Sequence, residues 1–256
     1  MFNELVEYDN RDAPGPPMPS YDSDPIQQHP VVSRDEWLAA RLQLLEQEKA
    51  FNQSRDALTQ ARRGLPWVRL EKQYTFDTPN GRRSLADLFE GKRQLVVYHF
   101  MFAPEATDGC PHCSFWAEHF DGLTHLRARD TTFAVISRAP VEKLEAFKKR
   151  MGWTFTWVSS DDGDFNYDFN VSFRPEERAA ASGFYNYRQG ERGADREGAS
   201  VFYRGEDGSI YHTYSTYARG IDLLNTTYNV LDLTPKGRDE AHLSAPQAWV
   251  RHKDKY

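Results

Sequence analysis

The sequence predicts an α/β protein in which a central mixed sheet is flanked by helices and preceded by an N-terminal helical arm. Residues 95–102 form a continuous apolar run, typical of a strand buried on both faces, and residues 132–136 repeat this pattern. Segments with helix-forming spacing follow both runs. Residues 201–203 and 210–214 flank a Gly-containing turn and predict a β-hairpin. Strands that alternate with helices and end in a hairpin indicate one α/β domain.

The N-terminal part of the chain divides into a leader and a helical arm. Residues 1–32 predict an extended leader, because six prolines between positions 14 and 30 are too frequent for a helix or a central strand. A capping box at residues 33–36 opens the helical arm, which we assign to residues 33–64. Apolar residues recur there every seven positions, at Trp37, Leu44, Phe51 and Leu58. This face either packs on its own domain or serves as a dimerisation arm. The sequence alone does not decide between these alternatives, so a homodimer is one of the two expectations.

We assign the α/β domain to residues 65–256. Its other elements are strand-like alternation at 68–76, a turn at 79–81, a short helix capped by Ser84, a helix at 141–151, a strand at 153–158 and a helix at 221–231. Residues from about 159 to 199 combine glycines with many charges and tyrosines, and they predict a long irregular insertion. A polar C-terminal tail completes the domain.

Composition narrows the choice of partners. The 32 basic and 38 acidic residues give a net charge of −6, which offers no electrostatic reason to expect nucleic acid or an anionic membrane. No apolar run approaches the roughly 20 residues that a membrane span needs, and the acidic N-terminus does not resemble a signal peptide. We therefore expect a cytoplasmic protein. In a reducing compartment, two closely spaced cysteines indicate catalysis or metal binding rather than a structural disulfide.

The candidate site is the run Cys110-Pro111-His112-Cys113, which contains both cysteines of the chain. It follows a predicted strand and begins a predicted helix, so both sulfurs are expected on the first helical turn. The helix N-terminus and His112 are expected to lower the pKa of the first thiol. Cys110 is therefore the predicted attacking thiolate, and Cys113 is the predicted resolving thiol. This arrangement is typical of a dithiol redox site.

The order of elements is that of the thioredoxin fold, and the part before the cysteines is more similar to the peroxiredoxin and alkyl hydroperoxide reductase branch. Several runs resemble a bacterial thioredoxin-like family, domain of unknown function family 899: residues 36–37, 48–49, 62–63, 66–67, 109–116, 135–140, 151–153, 165–169 and 231–238. The resemblance covers nearly everything after residue 30. It implies a thioredoxin-like fold and leaves the reaction to be argued from the site.

Two further residues connect the site with peroxide chemistry. Pro104, Thr107 and Cys110 partly match the peroxiredoxin signature, in which a threonine hydroxyl binds the peroxide, although the proline lies one residue too close. Arg138 follows the strand at 132–136 and is expected at the same sheet edge as Cys110, where it could stabilise the thiolate. Thioredoxin-type oxidoreductases also carry a cis-proline before the hairpin, and residues 197–201 contain no proline. This departure weakens general protein-disulfide exchange.

These residues favour an enzyme, a dithiol oxidoreductase or thiol peroxidase that reduces a peroxide or a disulfide and is itself reduced by a cellular dithiol. The alternative is a non-enzymatic thioredoxin-like module that senses redox state or binds a partner. A metal site is the third option, because four histidines surround the cysteines: His99, His112, His119 and His125. No second ligand pair exists at zinc spacing, so we expect neither metal nor cofactor. The tyrosines of the insertion either line a substrate cleft or pack on the sheet.

Overall fold

The computed structural model describes residues 29–161 and 163–256, so most of the predicted leader lies outside the described residues. The described chain forms two compact units. One contains residues 29–46 with Thr227–Trp249, and the other contains Gln47–Thr226 with Val250–Tyr256. Both cysteines and the whole sheet belong to the second unit.

The predicted N-terminal helix is confirmed as α1 (Arg34–Arg63). Its capping box forms as expected, since the Ser33 amide donates to Glu36 Oε2 at 2.9 Å and the Glu36 amide donates to Ser33 Oγ at 3.3 Å. At the other end, the Gly64 amide closes the last turn on the Gln60 carbonyl at 3.1 Å. None of the residues of α1 is buried.

An eight-stranded mixed sheet forms the centre of the larger unit. Its strands are β1 (Val68–Arg69), β2 (Thr75–Thr78), β3 (Gly81–Ser84), β4 (Gln94–His99), β5 (Thr131–Ser137), β6 (Thr156–Ser159), β9 (Gly198–Arg204) and β10 (Ile210–Tyr217), in the order β1-β10-β9-β4-β5-β6-β2-β3. Strands β4, β5 and β6 are parallel, and all other pairs are antiparallel. A separate hairpin consists of β7 (Gly183–Tyr185) and β8 (Arg188–Gly190).

Helices connect the parallel strands. The α-helices are α2 (Pro111–Ala117), α3 (Val141–Met151), α4 (Phe165–Asp168), α5 (Pro175–Ala179) and α6 (Thr226–Leu231), and 3-10 helices cover Asp87–Phe89, Asp121–Arg129, Ala218–Leu224 and Lys253–Lys255. The order β4-α2-β5-α3 followed by the β9–β10 hairpin is that of thioredoxin, with β6 as an additional strand beside β5, so the expected thioredoxin-like fold is confirmed. No helix in the described residues is both long and apolar enough to cross a membrane.

Three elements differ from the sequence-based expectation. The predicted strand at 68–76 is divided into β1 and β2, because the chain leaves the sheet at residues 70–74, where Lys72 pairs with Asp164 and Asp168. The predicted helix at 221–231 is split, because Asn225 takes an extended backbone conformation (φ −103°, ψ 98°) and is fully buried between a 3-10 helix and α6. The insertion at 159–199 also has more structure than expected, since it contains α4, α5 and the β7–β8 hairpin. These short elements were hidden because each is five residues or fewer, below the length at which periodicity is informative.

The side chains of β4 alternate between the two faces of the sheet. On one face, Leu95 and Val97 are fully buried in an apolar cluster that also contains Phe165, Phe169 and Phe202. On the other face, aromatic rings pack around Phe100, including Trp157 at 4.7 Å between ring centroids and Trp153 at 6.2 Å. Both faces are therefore covered, as the apolar sequence of β4 predicts.

A polar chain crosses the apolar face of the sheet. His99 Nε2 is 2.8 Å from Ser200 Oγ, which is 2.8 Å from Ser215 Oγ, and His212 Nε2 is 2.7 Å from the same Ser215 oxygen. Burial, with a smaller effect of the His212 charge, lowers the pKa of His99 to about 3, so this ring is neutral at physiological pH. The chain links β4, β9 and β10 next to the end of β4 from which the candidate site begins.

Candidate dithiol site

The cysteines lie where β4 ends and the chain turns back towards α2. The Cys110 amide donates to the Met101 carbonyl at 3.1 Å, and the Met101 amide donates to Cys113 Sγ at 3.4 Å. Cys110 is the N-cap residue of α2 and is half-buried, whereas Cys113 is 1% exposed; both are free thiols. One sulfur is therefore accessible and the other is held against the end of the sheet.

The two thiols have opposite pKa shifts. The pKa of Cys110 is lowered, first by a hydrogen bond from the Cys113 thiol and then by the hydrogen bond and charge of His112, which outweigh partial desolvation. The pKa of Cys113 is raised well above its usual value, first by burial and then by its hydrogen bond to Cys110. At neutral pH the site therefore holds one thiolate, on Cys110, and one proton, on Cys113.

The sequence argument named the helix N-terminus and His112 as the causes of the lowered pKa. The structure gives the largest effect to the Cys113 side chain, and the His112 side chain and the backbone amide of Cys113, in the first turn of α2, add smaller effects in the predicted direction. Helix α2 has only seven residues, so its dipole is short. A shift caused mainly by the partner thiol depends on how deeply that thiol is buried, which the sequence alone does not reveal.

A carboxylate and a tyrosine lie on the sheet side of Cys113. The Tyr98 side chain is fully buried, its hydroxyl makes no well-formed hydrogen bond, and burial together with the charges of Cys113 and Glu197 raises its pKa. The charge of Glu197 also raises the pKa of Cys113. The strand register explains this proximity. Gly198 of β9 pairs with His99 of β4, so Glu197 lies level with the residue after β4, next to the segment that holds Cys113.

The insertion contributes a side chain that holds Glu197. The Tyr185 hydroxyl, on β7, donates to the Glu197 carbonyl at 2.8 Å and lies 3.3 Å from its Oε1. The same hydroxyl accepts from the Ala218 amide at 3.0 Å. Tyr185 and Tyr217 are both buried, and their rings are 5.3 Å apart. These two tyrosines therefore pack on the sheet, and Tyr185 fixes the position of a carboxylate beside the dithiol.

Residues at the C-terminal end of the chain lie on the loop before Cys110. His252 Nε2 donates to the Gly109 carbonyl at 2.8 Å, and Arg150 donates to His252 Nδ1 at 3.2 Å. Arg150 also pairs with Asp108 at 2.6 Å and with Asp254 at 2.9 Å. A side chain at Gly109 would clash, because a Cβ there would lie 2.9 Å from the Phe100 ring. The loop is thus held from both sides immediately before Cys110.

Arg138 and Thr107 lie at the expected edge of the sheet but are not joined to Cys110. The Arg138 guanidinium, about 14% exposed, pairs with Asp195 at 3.0 Å and donates to the Tyr167 hydroxyl at 3.1 Å. Thr107 is exposed in the loop. The Ala139 amide donates to the Phe102 carbonyl at 2.8 Å, which ties the end of β5 to the start of that loop.

The histidines near the cysteines are dispersed. His112 is exposed and interacts with Cys110, and His99 is buried in the polar chain described above. His119 is half-buried and bonds to Asn225, while His125 is exposed. Within residues 29–161 and 163–256, no group of three His, Cys, Asp or Glu side chains converges as metal ligands.

A family model described as "Bacterial protein of unknown function (DUF899)" matches residues 26–256. The chain belongs to this family. The match confirms the resemblance that the sequence motifs indicated. No curated protein matches the chain.

Solved structures of low sequence identity are similar to this DUF899 protein. The peroxidoxin BcpB from Mycobacterium tuberculosis is 16% identical, with a TM-score of 0.43, over 65% of this chain and 97% of that chain. The Xanthomonas campestris bacterioferritin comigratory protein is 14% identical, with a TM-score of 0.41, over 63% of this chain and 92% of that chain. A secreted Mycobacterium tuberculosis disulfide oxidoreductase, homologous to E. coli DsbE, is 20% identical, with a TM-score of 0.33, over 60% of this chain and 92% of that chain.

The first prediction for this DUF899 protein is that the Cys113 thiol lowers the pKa of Cys110 more than His112 does. Because a thiolate is present only above its pKa, alkylation of Cys110 should persist well below pH 8.5, the usual thiol pKa. Cys113→Ala removes the hydrogen-bond donor and should raise the pKa of Cys110 more than His112→Ala does. Alkylation rates measured against pH, with the site of modification located by mass spectrometry, test this order. Equal shifts, or a larger shift for His112→Ala, would contradict it.

Proposed function

We propose that this protein is a dithiol redox enzyme in which Cys110 attacks a disulfide or peroxide substrate and Cys113 completes the reaction. The observation that carries the proposal is the difference between the two thiols. Cys110 is half-buried and has a lowered pKa, whereas Cys113 is buried and has a raised pKa. Two inert buried cysteines would both have raised pKa values. A thiolate held by a donor thiol stabilises the reduced form, which favours a relatively oxidising disulfide.

The first step of the proposed mechanism is attack by the Cys110 thiolate. On a disulfide, a Cys110–substrate bond forms, the substrate S–S bond breaks, and one substrate thiolate leaves and takes up a proton. On a peroxide, an S–O bond forms, the O–O bond breaks, Cys110 becomes a sulfenic acid, and the leaving hydroxide or alkoxide takes up a proton to give water or an alcohol. In both cases the negative charge on Cys110 is consumed. Cys113 then no longer faces a thiolate, which removes one of the causes that keep its pKa high.

The second step is attack by Cys113 on the Cys110 sulfur. The Cys113 thiol must lose its proton, and its burial opposes this. Glu197 is the proposed proton acceptor, since its charge acts on Cys113 and Tyr185 holds it in place. The Cys110–Cys113 bond forms while the second substrate thiol, or water from the sulfenic acid, leaves. A cellular dithiol then supplies two electrons and two protons and restores both thiols.

The contacts of Arg138 weigh on the choice of substrate. Three of the five N–H groups of Arg138 donate to Asp195 and to the Tyr167 hydroxyl, and the Asp195 carboxylate offsets the guanidinium charge that would act on a peroxide or on the Cys110 thiolate. This favours a disulfide substrate, and the absence of a proline at 197–201 favours a small disulfide or one dedicated partner protein. Catalysis by Thr107 and Arg138 stays a proposal for the peroxide reaction. We also propose that the protein acts in the cytoplasm, where dithiol reductants are present.

A redox sensor or partner-binding module is the second candidate function. It would use the same asymmetric thiols, and the half-buried Cys110 could be oxidised once and then wait for a reductant. Turnover separates the two functions, because an enzyme consumes many equivalents of reductant and a sensor changes state once.

The second prediction is catalytic consumption of a dithiol reductant in the presence of a low-molecular-weight disulfide, at a higher rate than with hydrogen peroxide. Cys110→Ser should lower the rate by at least about a hundredfold. Cys113→Ser should stop after one reaction, leaving a mixed disulfide with the disulfide substrate or a sulfenic acid with peroxide. Intact-mass analysis identifies these products.

The outcomes of this assay also decide between the substrates. If peroxide is the substrate, sulfenic acid should form rapidly in Cys113→Ser, and Thr107→Val and Arg138→Ala should slow it. If neither substrate supports more than one turnover, the sensor function is favoured over the enzyme.

The third prediction concerns Glu197. As proton acceptor for Cys113, it should be needed for resolution, so Glu197→Gln should slow formation of the Cys110–Cys113 bond by about ten- to a hundredfold at neutral pH, without slowing the attack by Cys110. Rapid-quench alkylation can follow the two steps separately. Glu191→Gln is a matched control, because Glu191 belongs to the same insertion and is exposed. If Glu197 acted only through its charge, its loss would lower the pKa of Cys113 and speed the resolving step instead.

A further inference from the structure

Helix α1 presents an apolar face that stays open to solvent. Its four seven-spaced side chains are 46–66% exposed: Trp37, Leu44, Phe51 and Leu58. Three residues after each of them lies a shorter or more polar side chain, and all four of these are exposed: Ala40, Gln47, Ser54 and Ala61. Together these eight residues are called the seam of α1. The large apolar column repeats every seven residues over three heptads, as one of the two core positions of a helix that pairs with another helix does, and the second column, with Gln47 and Ser54, supplies small or polar partners.

The two columns of the seam fit each other when one helix is reversed. In an antiparallel pair, the large column of one helix meets the small column of the other. With the two-fold axis level with residue 49, Trp37 lies opposite the partner's Ala61, and Leu44 lies opposite the partner's Ser54. The same register places Phe51 opposite the partner's Gln47 and Leu58 opposite the partner's Ala40. A large side chain thus meets a smaller one in every layer, which permits close packing.

A parallel pair would not have this match. It would place Trp37 against the partner's Trp37 and Ala40 against the partner's Ala40, so crowded layers would alternate with underfilled ones, and both are unfavourable.

The charges of α1 favour the same direction. The first turn carries Asp35 and Glu36 beside Arg34 and has a net charge of −1, and the last turn carries Arg62 and Arg63. In the antiparallel register the acidic turn of each helix lies level with the basic turn of the other, and the two helix dipoles oppose each other. A parallel pair would place acidic turns side by side and basic turns side by side, and like charges at this distance repel.

We propose that a second copy of this chain occupies the seam, and that the two α1 helices form an antiparallel, two-fold symmetric pair. The seam, from Trp37 to Ala61, spans about 36 Å, so the contact extends over about seven turns, and the two-fold axis divides it into two equivalent halves. Such an isologous interface closes on itself and gives a dimer rather than a filament. The proposal does not depend on the dithiol reaction, because no residue of the seam belongs to that site.

The fourth prediction is therefore a dimer in solution, with twice the chain mass of 29.6 kDa by light scattering at micromolar concentration. Leu44→Glu should raise the dissociation constant at least about tenfold, because a charge would be buried in the seam. Leu42→Glu is the matched control. Leu42 and Leu44 are 52% and 49% exposed, but they are two residues apart and so point about 200° away from each other on the helix. Leu42→Glu should leave the dimer intact, and circular dichroism should show equal helix content in both variants.

Cross-linking in a full chain carrying Cys110→Ser and Cys113→Ser tests the direction. Copies with Leu44→Cys mixed with copies with Ser54→Cys should form a mixed disulfide. Leu44→Cys alone should not, because in the antiparallel register its two copies are ten residues, or about 15 Å, apart, beyond the reach of a disulfide.

Three results would overturn the proposal. They are a monomer at every concentration, a dimer that survives Leu44→Glu, and efficient cross-linking of Leu44→Cys with itself, which would indicate a parallel pair. A chain that becomes dimeric only after removal of residues 1–28 would show that the leader covers the seam instead. Because the cross-linking proteins lack both thiols, a failed redox assay and a failed dimer test remain distinguishable.

Discussion

The hydrogen bond from the Cys113 thiol to the Cys110 sulfur is the interaction on which the whole site depends. In a pair of adjacent thiols, either one could lose its proton first. Burial of Cys113 raises its pKa, so Cys113 keeps its proton and Cys110 becomes the thiolate. The retained proton stabilises the thiolate on the accessible sulfur. In the proposed reaction the same arrangement stabilises the reduced form as a whole, so a lowered thiol pKa and an oxidising disulfide would have one physical cause.

This interaction requires a fixed frame around the cysteines. The Met101 amide and carbonyl contact Cys113 and Cys110, so the end of β4 sets the depth of one sulfur and the position of the other. The preceding loop is held at Gly109 by His252, and α3 contributes Arg150 to the same contact. The insertion adds Tyr185, whose hydroxyl contacts Glu197, the proposed proton acceptor. Segments that are far apart in the chain thus contact the cysteines, the loop before them or Glu197.

Local patterns in the sequence predicted the parts of the molecule that depend on local forces. The buried strand β4, the helix Val141–Met151 and the capping box of α1 follow from residue spacing, and the short distance between the two cysteines identified the candidate site. The roles of Glu197 and His252 could not be found in this way, because each depends on a contact with a residue more than 80 positions away. The pairing of Arg138 with Asp195 is a similar case, since a surface arginine and a paired one look alike in a sequence. The apolar periodicity of residues 221–231 also predicted one continuous helix. The buried Asn225 has an extended backbone conformation instead and divides that segment in two.

The most direct test of the account is the reduction potential of the Cys110–Cys113 pair. The protein is equilibrated in thiol–disulfide buffers of known potential, quenched by alkylation and analysed by intact mass. The account predicts reversible loss of two hydrogens within one chain, with a midpoint less negative than the approximately −270 mV of thioredoxin, because the Cys110 thiolate is stabilised in the reduced form. Two thiols that never form this bond, or a midpoint more negative than about −300 mV, as structural disulfides have, would contradict it.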